Sequence, residues 1–126
     1  MSAILFRKQI ARDWILSPVM HTHKDRNKAT RVIQEIALAS KLQVSDLLGP
    51  RRKKPIFLAR AAAMKICKDE LDMSFPEIGR AFNRDHTSVM HAVKRIAEIG
   101  DEDLPATMDL IAIRAGITPK SHMEAA

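Results

Sequence analysis

Residues 74–96 read SFPEIGRAFNRDHTSVMHAVKRI, and this stretch decides the fold. Ser74 and Glu77 stand at capping-box spacing, where the hydroxyl accepts from the N3 amide and the carboxylate reaches back to the cap amide. Met73 and Ile78 match the hydrophobic staple that accompanies such a start. The helix they open is predicted to close at Phe82. Asn83 is among the few non-glycine residues that tolerate left-handed backbone, so it marks a tight turn. A second helix is predicted from Asp85 or His86 to about residue 99, burying Val89, Ala92, Val93 and Ile96, with Gly100 as its stop. Two short amphipathic helices at a tight polar turn make a helix-turn-helix.

A helix that hides Val89, Val93 and Ile96 turns His86, Thr87, Met90, His91 and Lys94 outward to differing degrees. Those outward groups suit the major groove of duplex DNA. Thr87 offers a hydroxyl and a methyl that can meet a thymine methyl, Asp85 can accept from a cytosine amino group, and His86 can bond or pack on a base edge. Lys94 and Arg95 are better placed for phosphates, and the positive end of the helix dipole adds to phosphate affinity. The pattern leaves a plainer reading open: Asp85 as an N-cap, and His86 and His91 as solvated surface groups.

Outward from this unit, Arg51, Arg52, Lys53 and Lys54 form a basic loop, and Pro55 can open the helix that follows. That helix, roughly 56–71, is expected to bury Phe57, Ala61, Met64 and Leu71 or an adjacent stripe, and its alanines suit a central position. Before the loop, helices are predicted over 28–40, burying Val32, Ile33, Ile36, Ala37 and Ala39, and over 44–48. Gly49-Pro50 is the stop of the second, read as a C′ glycine followed by proline. An N-terminal helix over 2–15 carries Ala3, Phe6, Ile10 and Trp14 at helical spacing and stops at Ser17-Pro18. Residues 21–28 read as a polar linker. A last helix is expected over 104–115, from Leu104, Met108, Ile111 and Ala115, and the tail from Thr118 is expected to fray. No strand pattern occurs, so the chain is predicted all-α, organised as 1–27, 28–99 and 100–126.

At 126 residues and a net charge of +6, the chain can bury one core and suits a polyanionic partner. The seven basic residues from Arg51 to Lys68 have no acid among them, while Asp101, Glu102 and Asp103 cluster later, which predicts one basic face. A single cysteine, Cys67, excludes an internal disulfide and fits a reducing cytoplasm. No run approaches the ~20 apolar residues that span a bilayer. Arg7, Lys8 and Arg12 interrupt any signal-peptide core, so a cytoplasmic, nucleoid-associated location is expected.

Phe75-Pro76-Glu77-Ile78-Gly79, then Phe82, then Arg84-Asp85-His86-Thr87-Ser88-Val89-Met90-His91-Ala92 resembles the C-terminal DNA-binding domain of the bacterial replication initiator DnaA family. Val44 to Leu48, Arg51-Arg52 and the Ala-Arg-x-x-Ala-Met run ending at Met64 fall at the family's spacing, so the resemblance covers about residues 28–99. It implies a helix-turn-helix bundle of Trp-repressor-like type with a basic loop, binding a short asymmetric duplex element, the DnaA box. It further implies that Arg52 enters the minor groove and that Phe75, Pro76, Asp85, His86 and Thr87 lie at the major groove. Arg60, Lys68 and Ser88 correspond to positions that hold the phosphate backbone. Arg51, Lys53, Lys54, Arg84, His91 and Lys94 complete the expected DNA-binding set.

This sequence departs from the family pattern in four ways. Asn83 replaces glycine, Phe75 replaces leucine, and Leu58 and Ala61 stand where polar groups are common. It also contains no G-x-x-x-x-G-K-[ST] phosphate loop for an AAA+ ATPase. No catalytic constellation and no cofactor or metal site is expected; His21-x-His23 lacks a second ligand pair and reads as linker. Two functions follow from the sequence. The first is sequence-specific duplex binding at DnaA-box-like sites, regulating transcription or replication without ATPase activity. The second is a protein-interaction module with residual DNA affinity; the Phe6, Ile10 and Trp14 stripe is expected to pack onto the domain, with a surface for a protein partner or self-association as the alternative.

Overall fold

The computed structural model describes Ile10, Trp14 and residues 27–50, 53–98 and 104–120. The described residues form six helices and no strand: α1 (Lys28–Ser40), α2 (Val44–Leu48), α3 (Lys54–Glu70), α4 (Phe75–Phe82), α5 (His86–Glu98) and α6 (Leu104–Arg114). The expected all-α class is what the chain adopts. None of these helices is long and apolar enough to cross a membrane.

Local chemistry sets the helix ends. Asn27 caps α1 by accepting from the Ala29 amide at 2.9 Å, and Lys41 closes it in left-handed backbone. The Asp46 carboxylate accepts from the Gln43 amide at 3.0 Å to start α2. Gly49 ends α2, but not as a left-handed C′ residue: its φ is −85°. Glycine is needed there for space, because a Cβ would lie 2.7 Å from the Ser45 carbonyl oxygen.

Helix α3 begins two residues earlier than expected and is buried nearly all round, from Ile56 through Cys67, rather than along one stripe. Phe57 and Leu71, expected inside, are only partly buried. The reason is its central place: α1, α2, α4, α5 and α6 all pack against α3. Alanines 59, 61, 62 and 63 let those neighbours approach closely. Leu58 and Ala61, the positions without polar groups, belong to this core.

The start of the helix-turn-helix follows the expected capping box. The Glu77 amide donates to Ser74 Oγ at 3.2 Å, and the Ser74 amide donates to Glu77 Oε1 at 3.0 Å. Asn83 takes the left-handed turn with φ 56°. Gly79 is the tight point: a Cβ there would meet the Arg84 carbonyl oxygen at 2.5 Å. Helix α5 buries Val89, Ala92 and Ile96, with Val93 only partly covered.

One core joins Trp14 to Ile117. Trp14 is 4% exposed, and its indole Nε1–H donates to Glu35 Oε1 at 2.7 Å. Glu35 is fully buried on α1, and Arg114 Nε donates to the same oxygen at 2.9 Å. The Arg114 guanidinium also lies 4.9 Å from the centroid of the Trp14 ring. Trp14 is thus an interior residue, as expected if the N-terminal stripe packs onto the domain, and not a partner surface; Phe6 and the rest of the expected 2–15 helix, Ile10 apart, lie outside the described residues. The stretch after α6 also differs from expectation. Pro119 is buried, and the Lys120 amide donates to Glu70 Oε2 at 2.7 Å, so the chain is docked through Lys120 rather than frayed from Thr118.

Trp14→Phe keeps a smaller aromatic ring and removes the donor to a buried carboxylate. It is expected to destabilise the protein by ~1–3 kcal/mol, read from denaturant unfolding.

Candidate nucleic-acid interface

The first turn of α5 stands clear of the core. Asp85, His86, Thr87 and Ser88 are all exposed, as are Met90, His91, Lys94 and Arg95 further along. These residues make one continuous solvent-facing side on a helix whose other side is Val89, Ala92 and Ile96. Met90, 45% exposed, adds an apolar contact in the middle of that side. Lys94 lies 4.0 Å from Glu98, but both are largely exposed, so the pair leaves the ammonium free to meet an anion.

Asp85 is an N-cap in this structure. Its Oδ1 accepts from the Ser88 amide at 2.7 Å. That bond, with help from the Ser88 hydroxyl, His86 and the Thr87 amide, holds its carboxyl below the ordinary aspartate range. A carboxylate has about four lone-pair sites, so capping leaves acceptor capacity facing solvent.

At the start of α4, Pro76 is exposed and Phe75 partly buried. The Lys68 ammonium sits 4.5 Å from the Phe75 ring centroid and donates to the Met73 carbonyl at 3.4 Å. Lys68 therefore joins the end of α3 to the start of α4, a contact that no spacing rule suggests.

Arg60 is turned inward, against its expected place on the phosphate backbone. It is 5% exposed. Its Nε donates to the Leu47 carbonyl at 2.7 Å, and its Nη2 to those of Asp46 at 3.1 Å and Gly49 at 3.2 Å. These are carbonyls at the end of α2, where cations are favoured by the helix dipole. Burial, and then the nearby Arg84 charge, lower the Arg60 guanidinium to about 10, which keeps it protonated at neutral pH. Arg84, partly buried, donates through Nη1 to the Asn83 carbonyl at 3.2 Å and through Nη2 to the Gly49 carbonyl. Two guanidiniums thus meet on one carbonyl oxygen. They help line a cleft of about 630 Å³ that also includes Ala61, Asp85 and Ser88.

Lys53 and Lys54 are exposed at the start of α3, and the Phe57 amide donates to the Lys53 carbonyl at 2.8 Å. Arg51 and Arg52 lie outside the described residues, as do His21 and His23. Of the expected DNA-binding residues, the structure gathers Asp85, His86, Thr87, Ser88, His91 and Lys94 on one helix side and brings Arg84 and Asp85 into the cleft.

A family model described as the bacterial dnaA protein helix-turn-helix matches residues 29–96. The chain belongs to that family. It is 33% identical over 101 residues to a chromosomal replication initiator protein DnaA of Gluconobacter oxydans, covering 79% of this chain and 21% of that protein. With the DnaA of Roseobacter denitrificans it shares 34% over 103 residues, 81% of this chain and 23% of the relative. With that of Clavibacter sepedonicus it shares 43% over 72 residues, 56% of this chain and 15% of the relative. The chain spans about a fifth of the length of these relatives. It is a DnaA-type DNA-binding helix-turn-helix, and the matched span takes in α1 to most of α5.

The DnaA-type recognition helix is thus opened by a cap whose charge can be titrated. The Asp85 cap contributes fully above the ordinary aspartate value of 3.8 and is lost as pH falls through the lower folded value. Asparagine caps as well as aspartate and carries no charge. Asp85→Asn should therefore keep the neutral-pH thermal midpoint and lose less of it than the parent on acidification, followed by far-UV circular dichroism.

Proposed function

We propose that this chain reads DnaA-box-like sites in duplex DNA, the first turn of α5 entering the major groove and the 51–54 loop engaging the backbone and adjacent minor groove. By this reading the 126 residues act on transcription or replication from the nucleoid by occupying sites, without nucleotide hydrolysis. One observation carries it: Asp85, His86, Thr87 and Ser88 are all exposed at the capped N-terminus of a helix whose opposite side is locked in the core. Base-edge recognition requires that combination of exposed donors and acceptors on a rigid support. The DnaA name of the relatives supports the choice of site.

In this reading Thr87 and His86 contact bases, Asp85 caps with one oxygen and accepts from a base with the other, and Lys53, Lys54, His91 and Lys94 approach phosphates. Phe75 and Pro76 flank the groove, and Ser88 approaches the backbone. The interaction-module alternative needs an exposed N-terminal stripe, or a surface at Leu58 and Ala61 in place of the missing polar groups. Trp14, Leu58 and Ala61 are core residues and do not offer that surface.

A fluorescence-anisotropy titration at fixed salt should show clear preference for a DnaA-box duplex over a scrambled duplex. Arg52→Ala should weaken binding, and Thr87→Ala should relax base preference, each by ~1–3 kcal/mol. Equal affinity for the two duplexes would contradict the reading.

A further inference from the structure

The loop that carries the basic residues is anchored at its root by side chains from two other parts of the fold. Arg60 projects from the middle of α3 and Arg84 from the turn before α5, and both donate to the Gly49 carbonyl. Arg60 also holds the carbonyls of Asp46 and Leu47, immediately before. At the other end of the loop, the Lys53 carbonyl accepts from the Phe57 amide in the first turn of α3. Only residues 50–52 lie between these two anchors.

Burial of Arg60 is costly, and an apolar side chain would fill the interior of α3 without that cost. A guanidinium does what an apolar group cannot: its fork of donors binds several carbonyls at once in a fixed direction. Arg84 adds the link to the recognition helix. It follows Asn83 in the turn, its amide donates to the Gly79 carbonyl at 2.8 Å, and the next residue is the cap of α5. A displacement of the loop root is therefore transmitted through Gly49 to the turn that aims α5.

We propose that Arg60 and Arg84 are positioning residues that clamp Gly49, from which the basic loop departs, to the turn before α5, so that the end of α2, the start of α3 and the recognition helix meet one duplex in a fixed arrangement. The proposal rests on the duplex-reading role given above. It assigns to both arginines a task distinct from holding phosphates.

The test is a double-mutant cycle in the full chain, using Arg84→Lys and Arg52→Ala with a DnaA-box duplex and a scrambled duplex. Arg84→Lys keeps the positive charge but loses the fork that reaches the Asn83 and Gly49 carbonyls together. With a clamp, the affinity lost through Arg52→Ala shrinks by roughly fivefold in the Arg84→Lys background. Trypsin cleavage after Arg51, Arg52 or Lys53, read by mass spectrometry without DNA, should also quicken in Arg84→Lys under conditions where circular dichroism shows it folded. Additive effects on affinity, together with unchanged cleavage, would overturn the proposal and leave Arg84 as a simple charge. If the parent fails to distinguish the two duplexes, the site-specific reading falls, while the cycle on either duplex and the cleavage rates still judge the clamp. Arg60→Lys serves as a second variant, with the same loop exposure expected.

Discussion

The contact between Gly79 and Arg84 governs how this molecule presents its recognition helix. The Arg84 amide donates to the Gly79 carbonyl at 2.8 Å, while the Arg84 carbonyl lies where a Cβ on residue 79 would sit, 2.5 Å away. The chain therefore turns back directly onto α4, with Asn83 supplying the left-handed residue that the turn needs. Because that turn is so short, α5 leaves α4 in a direction set by backbone contact rather than by adjustable side chains. Val89, Ala92 and Ile96 then enter the core together, and the first turn of α5 is left facing solvent.

Two buried charged groups tie outlying segments to this centre. Glu35 collects the Trp14 indole and the Arg114 guanidinium, joining Trp14 and α6 to α1. Arg60 collects three carbonyls and joins the end of α2 to α3. In each case a group that is expensive to bury is compensated by directional bonds, which fix geometry more tightly than apolar contact does. Helix α3 supports both assemblies, since α1 and α6 pack on it as well as α4 and α5.

Signals that act within a few residues are legible in the sequence. The Ser74–Glu77 box, the Asn83 turn and the apolar period of α5 each declare themselves through spacing, and the helix-turn-helix follows from them. The initiator resemblance added family membership, which the match over residues 29–96 bears out. Features that depend on distant partners are not legible in this way. Glu35 looks like a surface residue of α1 until Trp14 and Arg114 are placed beside it, 21 and 79 residues away. Arg60 resembles another phosphate-binding cation until its guanidinium is seen to face carbonyls 11 to 14 positions earlier. Gly49 reads as a left-handed stop, whereas its role is steric. Trp14 reads as packing onto the domain with a partner surface as the alternative, because periodicity identifies an apolar face without identifying what covers it.

With the turn before the recognition helix tied to Gly49, from which the basic loop departs, the spacing of the DNA features that helix and loop select should be fixed. Selection of bound sequences from a random duplex pool tests this directly. The expected outcome is one short asymmetric motif, with a base-specific segment at constant distance from a segment of minor-groove character. Recovery of no motif, or of two segments whose separation varies from clone to clone, would contradict it.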